Sequence, residues 1–406
     1  MKAKNIYIFA SIICLCFLCL CSMTITTFAV SPNATLIVDG NEVETFLSVQ
    51  GAVDAIDSTS GNNFVIEIAE GTVSDAVYIL QIPDKNIVLR PKPGASVTFT
   101  NTITIDGNSN YYGSETLLIQ GFNFDFTSGA FENCIHFALV PSRAAMDPPP
   151  LSYPHNITIN GCTFKGVYGT TVAVQSLRGG SRNIAIMNCT ATDIHSFAQL
   201  KAVAGYAFIQ NCIVSNASEG GVNFYGTGYL TVDSCKFDVV GYAVRSGQND
   251  PTLAPILQGS VNINNSILNS NSSEFGTIVL RGESSNNINI LHSILKNESA
   301  GGAVIENLYS DYEDEYDIDV VESDLTGEIT NINLSTINTI DDPNIPNEPV
   351  SVIDEPEDQV RNLILFILLI PILVIILVIL VIVLAILIVR LVIRFVRFLI
   401  GLFGNP

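Results

Sequence analysis

Ile157-Thr-Ile-Asn-Gly-Cys162-Thr-Phe164, Ile184-Ala-Ile-Met-Asn-Cys189-Thr-Ala191, Ala207-Phe-Ile-Gln-Asn-Cys212-Ile-Val214 and Leu230-Thr-Val-Asp-Ser-Cys235-Lys-Phe237 are four copies of one phrase. Each alternates apolar and polar residues, passes two polar or small residues, then places a Cys, one more residue and an apolar residue. The series continues with Ser in the Cys slot, at Val261–Leu268 (Ser266), Ile288–Leu295 (Ser293) and Ile318–Leu325 (Ser323). An earlier copy, Leu117–Phe124, carries Phe122 there, and successive key positions lie 40, 27, 23, 23, 31, 27 and 30 residues apart. Alternation of period two marks a strand with one buried face. A unit this short cannot bury that face alone, so neighbouring copies must stack as turns of a solenoid.

Between the copies lie second strands, at Thr171–Val174, Val222–Tyr225, Ala243–Arg245, Thr277–Leu280 and Ala303–Ile305. Most follow Gly, which permits a sharp corner. Two or three short strands per turn, with turns as short as 23 residues and no ten-residue helical pattern inside them, predict an all-β, right-handed parallel β-helix of about nine to eleven turns. Its span is 64–335. Ahead of it, residues 30–63 form a lead-in and, over Phe46–Ile56, an amphipathic helix that caps the open first turn. The 40-residue interval contains a Pro-rich insertion, Ser142–Pro154, which is a candidate contact loop. The acid- and Tyr-rich run Tyr309–Asp317 reads as a solvated loop.

Both ends carry membrane signals. Lys2 and Lys4 precede an apolar stretch from Ile6 to about Met23, and Thr27-Phe28-Ala29 fits a cleavage site, so 1–29 reads as a secretory signal peptide. Leu363–Val389 holds 27 residues without a charge, enough to span a bilayer, so 362–389 reads as a transmembrane helix in contact with lipid. Arg361 precedes it and Arg390, Arg394 and Arg397 follow it on one helical face, in a basic amphipathic tail at 390–406. No Lys or Arg lies in the 64 residues before Arg361. Basic residues stay cytoplasmic, so the expected topology is a single-pass cell-membrane protein with an extracellular body and a cytoplasmic C-terminus. Residues 336–361 read as an acidic, Pro-rich stalk.

All 39 acidic residues fall between 30 and 360, against 18 − 2 − 4 = 12 basic ones, which gives that segment a net charge of 12 − 39 = −27. Nucleic acid is excluded as a partner, because phosphate contacts need a basic stripe. The same charge favours weak divalent-cation binding, with calcium the candidate, and no dedicated metal site or other cofactor is assigned. Five Cys follow the signal segment, and Cys162, Cys189, Cys212 and Cys235 share one slot of consecutive turns. Side chains of neighbouring parallel strands point the same way, a poor geometry for a bridge. These four and Ser266, Ser293 and Ser323 therefore read as an internal stack of small side chains.

The opening Leu47-Ser-Val-Gln-Gly-Ala-Val-Asp-Ala-Ile56, followed by Phe64-Val-Ile-Glu-Ile-Ala-Glu-Gly71, resembles the start of pectin-lyase-like right-handed parallel β-helix proteins. The repeated turns resemble their generic repeat over about 45–335, and the anchored, Asn-rich arrangement is similar to adhesin-like surface proteins. That resemblance implies a fold that hosts polysaccharide lyases and hydrolases. Such enzymes need clustered Asp with Arg, or paired carboxylates from neighbouring turns. The only such doublet is Asp341-Asp342, at the start of the stalk; Asp193 with His195, Asp233 with Lys236, and Asp238 stand apart. No catalytic residue is assigned. Arg178, Arg245 and Arg281, near the ends of second strands, form a sparse candidate stripe for an acidic sugar. Two readings remain open: a non-catalytic adhesin or display scaffold for polysaccharide or a surface protein, and a surface-tethered polysaccharide lyase or glycoside hydrolase.

Overall fold

The repeat stacks as its periodicity requires. In the computed structural model, eleven strands of one sheet lie side by side in parallel: Asn63–Ile68, Asn86–Pro91, Leu117–Gln120, Ile157–Asn160, Ile184–Met187, Tyr206–Gln210, Tyr229–Asp233, Val261–Asn264, Asn286–Leu291, Tyr316–Val321 and Ile337–Ile340. A second sheet of 18 strands closes the coil. The architecture is an all-β parallel β-solenoid of right-handed type. The regular coil has about seven turns, fewer than the nine to eleven expected. The seven copies of the repeat between Ile157 and Leu325 account for these turns. The three earlier strands of the first sheet and the last prolong the same ladder without the full phrase. Residues 32–340 are described, apart from 83, 108–114, 129–132, 138–155, 177–182, 204, 227, 248–259, 282–285, 309–315 and 333–336. Residues 1–29, read as a signal peptide, the 142–154 insertion, residues 362–389, read as a transmembrane helix, the tail 390–406 with its arginines, and Arg361 lie outside the described residues. Among those described, no helix is long and apolar enough to cross a membrane.

Register explains the alternation. Ile157, Ile184, Ala207, Leu230, Val261, Ile288 and Ile318 stand opposite one another on successive rungs, and all are buried. The residues between them, such as Thr158, Ala185 and Phe208, face outward and are half-buried. The sharp corner ahead of each Cys or Ser is one left-handed residue: Gly161, Asn188, Asn211, Ser234, Asn265, His292 and Glu322 all have φ between 45° and 61°. Gly and Asn tolerate this region best. Asn side chains also bond along the ladder, with Asn188 Nδ2 donating to Asn160 Oδ1 at 2.8 Å and Asn211 Nδ2 to Asn188 Oδ1 at 3.2 Å. Inside, Phe99, Phe124 and Phe164 stack with centroids 5.4 and 4.9 Å apart.

The N-terminal end is closed by two devices. The lead-in forms a hairpin, Ala34–Val38 with Asn41–Phe46, whose first strand pairs antiparallel with Asn63–Ile68 and so terminates the parallel ladder. Helix α1, Val49–Ser58, buries Val49, Ala52, Val53 and Ile56. Ser48 caps it by accepting the Gly51 N–H at 3.1 Å. Lys85 Nζ donates to the carbonyls of Ile56 and Thr59 at 2.6 and 3.0 Å, where a helix C-terminus presents unpaired acceptors. At the other end, Ile337–Ile340 pairs with Tyr316–Val321. The first residues of the segment read as stalk therefore belong to the ladder.

Candidate functional site

The outer face of the second sheet carries a row that alternation alone does not explain. On its strands the inward positions are apolar: Ile135, Val174, Ala198, Val222, Val244 and Ile278 occupy successive rungs and are buried. The next residue on each rung is outward, and over five rungs it is polar: His136, Gln175, Gln199, Asn223 and Arg245. An outward polar row is ordinary, but this one is withdrawn from water. Gln175 and Gln199 are 9% exposed, Asn223 7% and Arg245 6%. Buried polar groups persist only when bonded.

Gln175, Gln199 and Arg245 are linked to one another through Glu219. Gln175 Nε2 donates to Gln199 Oε1 at 3.4 Å, and Gln199 Nε2 donates to Glu219 Oε2 at 3.0 Å. His195 Nε2 reaches the same oxygen at 3.0 Å, and Arg245 Nη1 lies 3.8 Å from Glu219 Oε1. His195 Nδ1 is 3.0 Å from Ser218 Oγ. The Arg245 guanidinium sits over the Tyr242 ring, 5.2 Å from its centroid. The contact with His195 holds the Glu219 carboxyl below the usual carboxylate range, against the opposing effect of its burial, with Arg245 adding to the downward pull. Burial pushes the Tyr242 hydroxyl well above the usual phenol range, with the Glu219 charge as a further cause. Burial lowers His136.

Backbone geometry places Glu219. It precedes Gly220-Gly221, where the next rung runs so close that a Cβ would press on Tyr242 and Ala243. On that next rung, Gly241 passes against the Glu219 carbonyl. The arrangement makes Glu219 an ionised acceptor that is already engaged, rather than a carboxylic acid ready to release a proton. Together with the Gln and Asn amides it suits hydrogen bonding to a polar ligand. Among the described residues, no group of three His, Cys, Asp or Glu gathers in a way that would hold a metal ion.

The residues singled out in sequence fall as follows. Arg178 lies outside the described residues. Arg245 is drawn into the Glu219 cluster and is not a free cation. Arg281 ends the strand Ile278–Arg281 opposite Gly247, two positions beyond Val279, the rung neighbour of Arg245. Asp193 sits at a left-handed corner with φ 54° and accepts from Asn216 Nδ2 at 2.6 Å, so its role is in the coil, while His195 turns to Glu219. Asp233 accepts from Gln210 and Asn265 on neighbouring rungs. Cys162, Cys189, Cys212 and Cys235 are free and at most 3% exposed. Ser266 and Ser293 follow them in the same slot, buried, and Ser323 is half-buried. Gln175, Gln199 and Glu219 were not marked by the sequence reading. For the two Gln the signal was there, a polar residue after an apolar one at the same place of the second strands from His136 to Arg245, whereas Glu219 lies outside that pattern.

Compared with known proteins, the chain matches no family model and no curated protein.

Proposed function

We propose that this chain is a cell-surface, single-pass β-helix that binds and does not cleave: a non-catalytic adhesin or display scaffold offering its second-sheet row to a polysaccharide or a partner on another surface. The observation that carries the reading is the engagement of Glu219, whose carboxylate is shared among His195, Gln199 and Arg245. A general acid needs a raised pKa and a free proton, and Glu219 is held the other way. Amides and an engaged guanidinium suit the recognition of sugar hydroxyls. The signal-peptide and anchor readings of 1–29 and 362–389 support a place on the outside of the cell membrane, and the repeat supports kinship with the pectin-lyase-like group.

One observation favours a second reading, a surface-tethered polysaccharide lyase or glycoside hydrolase: a His, a Glu and an Arg from neighbouring rungs do converge. A single experiment separates the two. Full-length protein is applied to a glycan array and incubated with a panel of neutral and uronic-acid polysaccharides, with and without calcium. The binding reading expects array signals that fall at least severalfold in Glu219→Gln, with no unsaturated or reducing ends released. Release of such ends by the wild type, abolished by Glu219→Gln, overturns it in favour of the enzyme.

A further inference from the structure

The first sheet has an outer face that the second-sheet row does not use. Along one edge of it the rungs carry Asn156, Asn183, Tyr206 and Tyr229 in succession. Asn183 Nδ2 donates to Asn156 Oδ1 at 2.7 Å, and the Tyr206 N–H donates to Asn183 Oδ1 at 3.0 Å. Tyr206 and Tyr229 stand in register, their rings stacked 5.8 Å apart and 21° from parallel. Both stay in water, 63% and 51% exposed. Exposing two large rings side by side forgoes the burial that the fold achieves for Tyr242 and most of the described Phe rings, and such paired exposure marks an interaction surface.

A groove of about 490 Å³ opens beside the pair. Ala185 lines it between the larger Thr158 and Phe208 of the adjoining rungs. Tyr206 lines the groove, whereas Tyr229 stands behind it on the next rung. Tyr206 is thus an aromatic end wall and Tyr229 its buttress. Asn156, Asn160 and Asn183 supply amide donors and acceptors along the rim, and none of the described residues that line it carries a charge.

We propose that this groove is a binding site for a neutral glycan segment. A pyranose ring presents C–H groups on its face and hydroxyls around its edge, which is the complement of a Tyr wall bordered by Asn amides. An acidic glycan is opposed by the net charge of −27 over residues 30–360 (12 − 39) and meets no cation among the described residues that line the groove. A groove formed by successive rungs runs along the coil, so a chain of sugar rings can lie in it. This site is distinct from the Glu219 row, and relies on the proposed function only for placing the groove outside the cell.

The test uses full-length protein with cellohexaose, chitohexaose and mannohexaose as neutral probes and hexagalacturonate as the acidic one, by calorimetry and by Tyr emission, which no Trp obscures. At least one neutral hexaose is expected to bind, and hexagalacturonate is not. Tyr206→Ala should weaken binding about tenfold, the order expected for a lost aromatic platform. Tyr206→Phe should retain it, and Ala185→Trp, which fills the groove, should abolish it. Tyr168→Ala, an exposed ring elsewhere, should change nothing. Unaltered melting curves establish that the variants fold. The proposal is overturned if no neutral hexaose binds, if Tyr206→Ala and Ala185→Trp bind as the wild type does, or if hexagalacturonate binds equally well. Binding lost in Glu219→Gln but kept in Tyr206→Ala also overturns it while leaving the proposed function standing. The reverse pattern leaves the groove and removes the Glu219 row.

Discussion

At the scale of single residues, the Cys and Ser slot shows how one position serves a whole coil. Ser266, Ser293 and Ser323 each donate to the carbonyl two residues back, at 2.7, 2.8 and 2.8 Å. Each also accepts a backbone N–H from the same slot of the preceding rung, at 3.1, 3.1 and 3.0 Å. The thiols make the first contact too, as in Cys189 Sγ to the Met187 carbonyl at 3.1 Å. Cys189 feels a lowering contact from Cys162, but its hydrogen bond to Cys212 and burial outweigh it and push the thiol up to about 12. Contact with Cys189, with burial second, raises Cys162 as well. Reaction needs the thiolate, so a thiol reagent at pH 8 should leave the native protein unlabelled and modify it on denaturation. Labelling of folded protein at the unfolded rate would contradict the buried column. The same shift has a stability consequence. A folded-state pKa raised above the unfolded one stabilises the fold below the ordinary thiol pKa of 9.0, and that contribution drains away as pH climbs from there towards about 12. Melting temperature should therefore fall over that alkaline window, and fall less in Cys189→Ser.

At the scale of the element, corners and close approaches set the tolerances. Gly161 holds φ +61° with open space around a Cβ, while Asn188 and Asn211 take the same corner on the next two rungs. Gly161→Ala should cost about 1 kcal/mol for the left-handed backbone. Gly161→Asn should cost less than Ala, since Asn already serves there. Gly241 is constrained differently: its φ is ordinary, but an added Cβ would press on the Glu219 carbonyl of the previous rung. Gly241→Ala should destabilise by roughly 1–3 kcal/mol, the range of overpacking. Chemical denaturation of the three variants checks the ranking, and a Gly241→Ala midpoint at or above that of Gly161→Asn would refute it.

At the scale of the whole coil, each rung touches chiefly the one before and the one after. Stability is then close to a sum of rung and neighbour terms. A charge placed in the apolar column should cost most where both neighbours are lost. Ile209 lies on a central rung and is fully buried, while Ile318 lies near the end of the ladder. Ile209→Asp should abolish the cooperative transition seen by circular dichroism. Ile318→Asp should leave a folded remainder that melts as one unit. Equal damage from both would mean that the coil folds as an indivisible core.

The solenoid was legible because its cause is local and repeated. Period-two alternation, a corner residue and a small side chain recur in each of the seven copies from Ile157 to Leu325, and a strand with one apolar face has few other ways to bury it. The helix at Val49–Ser58 was legible for the same reason, in its 3.6-residue spacing, although Leu47, at the head of the quoted motif, is 82% exposed. The N-terminal hairpin was not, because nothing in Asn41–Phe46 repeats and its strand is mostly exposed. The Glu219 cluster and the Tyr206 groove lay further out of reach. His195, Gln199, Glu219 and Arg245 come from three rungs separated by loops of unequal length, so no fixed spacing joins them. Sequence by itself therefore determined the coil and its buried column, since these follow from alternation within each copy. Only the tertiary structure decided which outward side chains share a carboxylate or a ring face, because rung-on-rung register, not distance along the chain, brings them together.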